Sequence, residues 1–444
     1  MSTSNIKSLV KNVIASQLRS QEDLRIGMEV ENLVYTQEMN RIPVNPGTAF
    51  STSDLKARLE DKNSEKGIAP TLTIEPGGQI EYASTPHRSL HNLASEWKVY
   101  ISNLINVAED ENLVVSDLAL EPVVPADHIT IIDHRKYKLM HKRFNETGSH
   151  GHEMMFNTAS TQINLDYTSL EDAEKLAFVS DCLHPFISLL FSNAPFYRGK
   201  PAGKQNMREI IWRNTDPSRS NCLFDHDIKS PDGLLDNFAA YVLNTPTLFT
   251  FEKDGSVGTY EGALGDWLGS LHDRSVLESE DIMTALHQIF TQVRFKHILE
   301  IRGPDRLPFG YELAPAAFFQ GILRSPDMLE KVMEICAKWS SEDRKRLNEF
   351  AQTINLSCEV AGQTLQAWCE QFLSFALEGL TESGEKKFLE PFAEEFLTTG
   401  PFSLSIQASF EQSGKSVEQF LKDRWEEQKD LLGEGNKAMR RCLW

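Results

Sequence analysis

At 444 residues the chain has room for two or three domains of about 150 residues each. Its formal net charge of −19 argues against a protein that grips nucleic acid or docks on an anionic membrane, since both need a basic surface. Hydrophobic residues at 40% and charged residues at 25% are ordinary globular values, which exclude disorder, collagen and coiled-coil arrays.

In chain order, residues 1–21 carry three basic groups and no acid, with Ile6, Leu9, Val10, Val13, Ile14 and Leu18 at helical spacing. That pattern fits a first amphipathic helix better than a transit peptide. In Arg25–Asn32, strict alternation puts Ile26, Met28 and Val30 on one face of a strand and Gly27, Glu29 and Glu31 on the other. Residues 71–84 read as a hairpin turning at Pro76-Gly77-Gly78. Leu72, Ile74, Ile80 and Tyr82 face one way, and Glu75, Gln79 and Glu81 the other. Met155–Tyr167 reads as a third strand with Thr158, Ser160, Gln162, Asn164 and Asp166 on one face. A fourth, Phe295–Arg302, sets Leu299 and Ile301 against Glu300 and Arg302.

Strands that each offer a pair of polar groups suggest a common polar floor. If they join one sheet, Glu29, Glu31, Glu75, Glu81 and Glu300 converge. Five carboxylates at close quarters raise one another's pKa and need cations. Oxygen ligands at that density suit Mg²⁺ or Mn²⁺ rather than zinc, and magnesium shares its shell with waters and substrate phosphates. Arg208, Arg213 and Arg219, with Arg135 and Lys136, are the clustered basic groups that could hold a carboxylate or phosphate in a two-pronged grip. Gly414-Lys415-Ser416 lacks the upstream glycine of a P-loop, and there is no G-x-G-x-x-G. His150 and His152 lack a third partner for a zinc site.

Beyond Ser325-Pro326 the texture changes. Residues 327–382 read almost wholly as helix, and 384–398 and 415–432 as further helices. The expected division is a catalytic α+β body over 1–324 and a helical part over 325–444, packed on it. The stretch 182–197 contains His184, Pro185 and Pro195 and is too short to span a bilayer. Six cysteines without C-x-x-C spacing point to a reducing compartment, and the expected location is the cytoplasm.

Five spaced motifs resemble glutamate–cysteine ligase of the class found in plants and many bacteria. They are Gly27-Met-Glu-Val-Glu31, Glu75-Pro-Gly-Gly-Gln-Ile-Glu81, Met154-Met155 through Thr161-Gln-Ile-Asn-Leu-Asp166, Met207-Arg208 with Ile211-Trp212 and Thr215-Asp216, and Leu299-Glu-Ile-Arg-Gly303. The resemblance implies an α+β fold: a six-stranded, mostly antiparallel sheet curved into a bowl, as in glutamine-synthetase-like ligases, with helices around it. It implies ATP-dependent condensation of the glutamate γ-carboxylate with the amine of cysteine through a γ-glutamyl phosphate, the first step of glutathione synthesis. On it, Glu29, Glu31, Glu75, Glu81 and Glu300 look like magnesium ligands, and Arg302 with Glu300 like the catalytic pair. Arg135 (or Lys136), Arg208, Gln162 and Asn164 look like substrate contacts. Trp212, Arg219 and Arg302 fall to the nucleotide. The partners implied are small molecules, namely ATP, glutamate and cysteine or another amine, with the protein a monomer or homodimer.

Overall fold

The computed structural model describes residues 3–432, so Cys442 lies outside the described residues. Alternation of apolar and polar side chains builds the central sheet. Its strands are β1 (Ile26–Thr36), β2 (Thr71–Ile74), β3 (Ile80–Ala83), β4 (Leu113–Ser116), β5 (Thr161–Leu165), β6 (Val293–Phe295) and β7 (Leu299–Ile301). Six of them run in the order β6-β7-β5-β1-β3-β2, every neighbouring pair antiparallel. A seventh, β4, pairs with the far half of β1 from Leu33 to Thr36, so β1 serves two sets of neighbours along its eleven residues.

One face of this sheet is apolar and enclosed. Met28, Val30, Leu72, Ile80, Tyr82, Ile163, Leu165, Leu299 and Ile301 are all buried. Each such side chain removed from water stabilises the fold by about 1.5–3 kcal/mol. They pack on the helices Leu90–Asp110, Leu170–Leu190 and Ala314–Leu323. The rings of Trp97 and Tyr100 lie 5.1 and 4.5 Å from Tyr82, whose hydroxyl donates to Glu96 at 2.6 Å. The opposite face carries the polar residues.

The first helix, Thr3–Ile14, buries Ile6, Val10, Val13 and Ile14 at helical spacing. Two other segments differ from the sequence reading. Residues Gly151–Asn157 are helical, so only Thr161–Leu165 of the third segment is strand. The fourth is a hairpin whose turn lies at 296–298, with Lys296 N–H donating to Ile298 O at 2.9 Å. That turn has no glycine, proline or asparagine to announce it.

The C-terminal helices Pro326–Lys338, Ser341–Phe350 and Leu365–Gly379 are interrupted by a small hairpin, Glu359–Val360 with Gln363–Thr364. The stretch is therefore less wholly helical than its periodicity suggests. One apolar cluster runs from Ile6 to Trp425 and crosses residue 325 without a break. Phe186 meets Trp339 and Phe372 at 5.7 and 5.1 Å. The tightest junction is where Ala314–Leu323 crosses Leu365–Gly379. A Cβ on Gly321 would lie 2.0 Å from Ala376 O, and one on Gly379 would lie 1.9 Å from Gly321 O. Gly321→Ala must push these helices apart, and overpacking of this kind costs about 1–3 kcal/mol. The expected result is a lower urea midpoint at unchanged slope. An unshifted midpoint would show that the crossing is loose.

Among the described residues no helix is long and apolar enough to cross a membrane. The five described cysteines are all free thiols.

Candidate active site

The register of the sheet places the candidate residues. Glu31 stands directly opposite Glu81, which stands opposite Thr73. One row along, Glu29 faces Gln162 across the β1–β5 pair. In the next row Gly27, Asn164 and Glu300 are aligned, with Arg294 beyond Glu300. Residues paired in this way share a face, so the polar side chains expected on four separate segments line one floor. Glu75, two residues past Thr73, has the same parity and sits where the β2–β3 turn begins. That turn closes as expected, Gly78 adopting a φ of +84°.

Like charges directly opposed across a ladder repel, and the ionisation of the floor records it. Burial and the neighbouring Glu75 push the Glu31 carboxyl up to about 7. Burial raises Glu75 too, with Lys136 and Arg302 pulling it back. Burial together with Glu29, Glu75 and Glu31 holds Glu81 well above the ordinary carboxylate range. Thr73 donates a short hydrogen bond to Glu81. Asn164 Nδ2 donates to Glu29 at 2.8 Å, and Ser160 N–H donates to Glu31 at 2.7 Å.

Glu300 differs from the other four. It lies two strands away from β1 and is fully buried among three cations. Arg294 makes a close ion pair with it, Lys296 Nζ lies at 2.6 Å and Arg302 Nη1 at 3.1 Å. Burial alone would raise its carboxyl, but Arg294, Lys296 and Arg302 hold it well below the usual range. The expected convergence of five carboxylates is thus corrected to four that repel and one that is neutralised. Neither Arg294 nor Lys296 stood out in the sequence. Their alternation in phase with Glu300 was the available signal.

Arg302 joins the two ends of the floor. Its Nη1 donates to Gln162 Oε1 at 2.6 Å as well as to Glu300. Its guanidinium lies 5.6 Å over the ring of Trp212. Lys136, rather than Arg135, is the basic residue turned toward the acidic end. Lys136 Nζ rests over the rings of Tyr137 and Phe249 at 4.7 and 5.6 Å, and its charge is felt by Glu75. Arg135, at the start of the helix Arg135–Thr147, is exposed. These aromatic rings belong to a second, smaller apolar cluster that includes Met155, Phe156, Ile211, Trp212, Leu248 and Phe249. Arg302 and Lys136 lie between that wall and the carboxylates.

Two further expectations meet different surroundings. Arg219 is fully buried, its guanidinium donating to Asp216 at 2.9 Å, Gln288 O at 3.1 Å and Pro246 O at 2.6 Å. Those bonds use three of its five N–H groups and turn the side chain into the protein interior rather than onto the floor. Arg208 has both terminal nitrogens engaged with the chain at 302–305. Its Nε, the Trp212 indole nitrogen and Asn164 Oδ1 are buried without a protein partner. Gln79 has the floor's parity but turns its amide to Met155 O and Thr158 O, tying the turn to the helix Gly151–Asn157.

Among the described residues no three His, Cys, Asp or Glu side chains are drawn together into a metal cage. A magnesium site does not require one, because that ion binds through one or two carboxylates and completes its octahedron with waters and phosphate oxygens. Mutually repelling carboxylates at Glu31, Glu75 and Glu81, all shifted upward by burial and by one another, are the donor set such an ion would relieve.

Residues 25–367 match the family described as Glutamate-cysteine ligase family 2 (GCS2). A chloroplastic glutamate–cysteine ligase of Medicago truncatula is 30% identical over 332 residues, which is 73% of this chain and 64% of that relative's length. The Nicotiana tabacum counterpart is 28% identical over 424 residues, 91% of this chain and 80% of its own. Among solved structures, the glutamate–cysteine ligase of Francisella tularensis in complex with AMP superposes with a TM-score of 0.57. That alignment has 12% identity and covers 95% of this chain and 92% of the other, a likeness of fold.

Proposed function

The chain belongs to glutamate–cysteine ligase family 2, and from that premise we propose that it joins the γ-carboxylate of glutamate to the amine of cysteine at the expense of ATP. The observation that carries the reading is the division of one sheet face into an acidic end and a cationic end, with Arg302 between them. A carboxylate is a poor electrophile, so the chemistry needs it converted first to an acyl phosphate. Phosphoryl transfer is catalysed mainly by positioning and by charge placed where charge develops.

Mg²⁺ or Mn²⁺ ions, each held by one or two of Glu29, Glu31, Glu75 and Glu81, would supply charge neutralisation on the phosphate oxygens. The remaining work falls to side chains of the chain itself. Arg302 presents a planar pair of donors toward the transferring phosphoryl, with Gln162 and Glu300 fixing its orientation. Lys136 offers a cation to a substrate carboxylate at the acidic end. Asn164 Oδ1, an acceptor, and the Trp212 N–H, a donor, are buried polar atoms left for ligand. The wall of Trp212, Phe249 and Tyr137 excludes water, which protects an acyl phosphate from hydrolysis. No enzyme nucleophile is needed, and the buried thiols take no part.

The test is direct. Purified protein with ATP, Mg²⁺, glutamate and a panel of amines is expected to give ADP, phosphate and γ-glutamylcysteine, identified by mass. A product with another amine and none with cysteine would keep the floor chemistry and overturn the acceptor.

A further inference from the structure

The loop that follows β7 is gripped from outside the sheet. Arg208 Nη1 donates to Gly303 O at 2.9 Å and Nη2 to Arg302 O at 3.1 Å. Arg208 Nη1 also reaches Asp305 Oδ1 at 3.3 Å, and Asp305 Oδ2 accepts from Asn193 N–H at 2.7 Å. The next residue along the helix Met207–Arg213 is Glu209, whose carboxylate meets His184 Nε2 at 2.9 Å. Both side chains are 3% exposed. The other edge of the same imidazole lies against Gly303. A Cβ built there would fall 2.5 Å from His184 Nδ1 and 3.0 Å from Cε1.

Two consecutive residues therefore act on one peptide segment, Arg208 from the carbonyl side and Glu209 through His184. The segment begins with Arg302, whose N–H is itself fixed by Gln292 O at 2.8 Å. We infer that His184 is a positioning residue for Arg302, seating Gly303 against an imidazole that Glu209 holds in place. This rests on the proposed role of Arg302. The requirement for glycine follows from contact rather than from conformation, because any larger residue would have to displace the ring or the backbone. A misplacement of about 1 Å in a catalytic group can cost about a hundredfold in rate.

The experiment is a double-substitution cycle with Gly303→Ala, His184→Ala and the pair, measured as kcat, KM for ATP and glutamate, and melting temperature. Gly303→Ala alone is expected to lower kcat at least about tenfold, with both KM values within about twofold. His184→Ala removes the seat and lowers kcat by a similar factor. In that background Gly303→Ala should then cost less than about twofold, because the space it needs has been vacated. His184→Gln, which still fills the site and can donate to Glu209, is expected to recover much of the rate, and it serves if the alanine variant fails to fold. Equal costs of Gly303→Ala in both backgrounds, or losses confined to KM or melting temperature, would overturn the inference. Arg302→Lys is assayed alongside. Wild-type kcat there would overturn the reading of the site itself, whereas an impaired Arg302→Lys with an additive cycle overturns only the role of His184.

Discussion

Arg302→Lys is expected to lower kcat at least about tenfold while the fold and both KM values are kept. Lysine preserves the charge but not the planar fork, and the fork is what can bridge two oxygens of a phosphoryl in flight. Arg302 donates to Gln162 and Glu300 through one terminal nitrogen, 2.6 and 3.1 Å away, and its guanidinium carbon lies 5.6 Å over the Trp212 ring. A lysine ammonium in the same place could satisfy Glu300 without presenting a second donor in a fixed direction. Because the contact tightens as charge builds on the transferring group, the loss falls on kcat rather than KM. The alternative, that Arg302 is a solvated partner of Glu300 worth about 0–1 kcal/mol, fits poorly with a side chain only 14% exposed. Phosphate release measured beside thermal melting separates the two. An Arg302→Lys enzyme with wild-type kcat would remove the main catalytic cation from the mechanism.

The second large effect is of divalent cations, and it carries a pH signature. Excess chelator is expected to abolish turnover, because the acidic end of the floor has four carboxylates in mutual repulsion. The Glu31 carboxyl lies near 4.5 when unfolded and about 7 in the folded chain. Such a group takes up a proton on folding, so its contribution is whole below pH 4.5 and is lost as pH rises through 7. The chelated protein should therefore melt at a lower temperature at pH 8 than at pH 6. Magnesium must displace those protons to bind, so its affinity rises with pH, and the increase in melting temperature it confers should be larger at pH 8. Equal increments at the two pH values would sink this account of the floor. Full turnover in chelator would do so as well.

Much of this floor was legible from alternation alone. A period of two cannot tell which strands will be neighbours, yet it assigned Glu29, Glu31, Glu81, Gln162, Asn164, Glu300 and Arg302 each to the polar face of its own strand. Pairing then brought them onto one face. What alternation could not reveal was the direction of long, isolated side chains. Arg135 and Lys136 are adjacent in sequence, and only the packing of Tyr137 and Phe249 decides which of them faces the carboxylates. Arg219 looked like an anion grip because its partners, Gln288 O and Pro246 O, are main-chain groups with no sequence signature. The last turn of the helix Gly151–Asn157, from Met155 on, was read as strand because its run of apolar residues is too short for periodicity to decide, and tertiary contacts settle it. The hairpin at 296–298 was hidden for the opposite reason, a turn made of residues with no turn preference.

The arrangement of charge along the chain also orders events in time. Glu29, Glu31, Glu75 and Glu81 are all made before residue 82, but the cations around Glu300 come from a hairpin that begins near residue 293. At translation speeds of about 5–20 residues per second, roughly 6–25 s separate the end of β5 from the start of β6. Over that interval Lys136 and, once residue 208 is made, Arg208 are available as counter-charges to Glu75 and Glu31, while Arg294, Lys296 and Arg302 do not yet exist. The hairpin that completes the central sheet thus brings its own carboxylate, Glu300, together with the cations that neutralise it, and adds Arg302 as a counter-charge to Glu31 and Glu75. The polar face therefore cannot be completed before residue 302 has been synthesised.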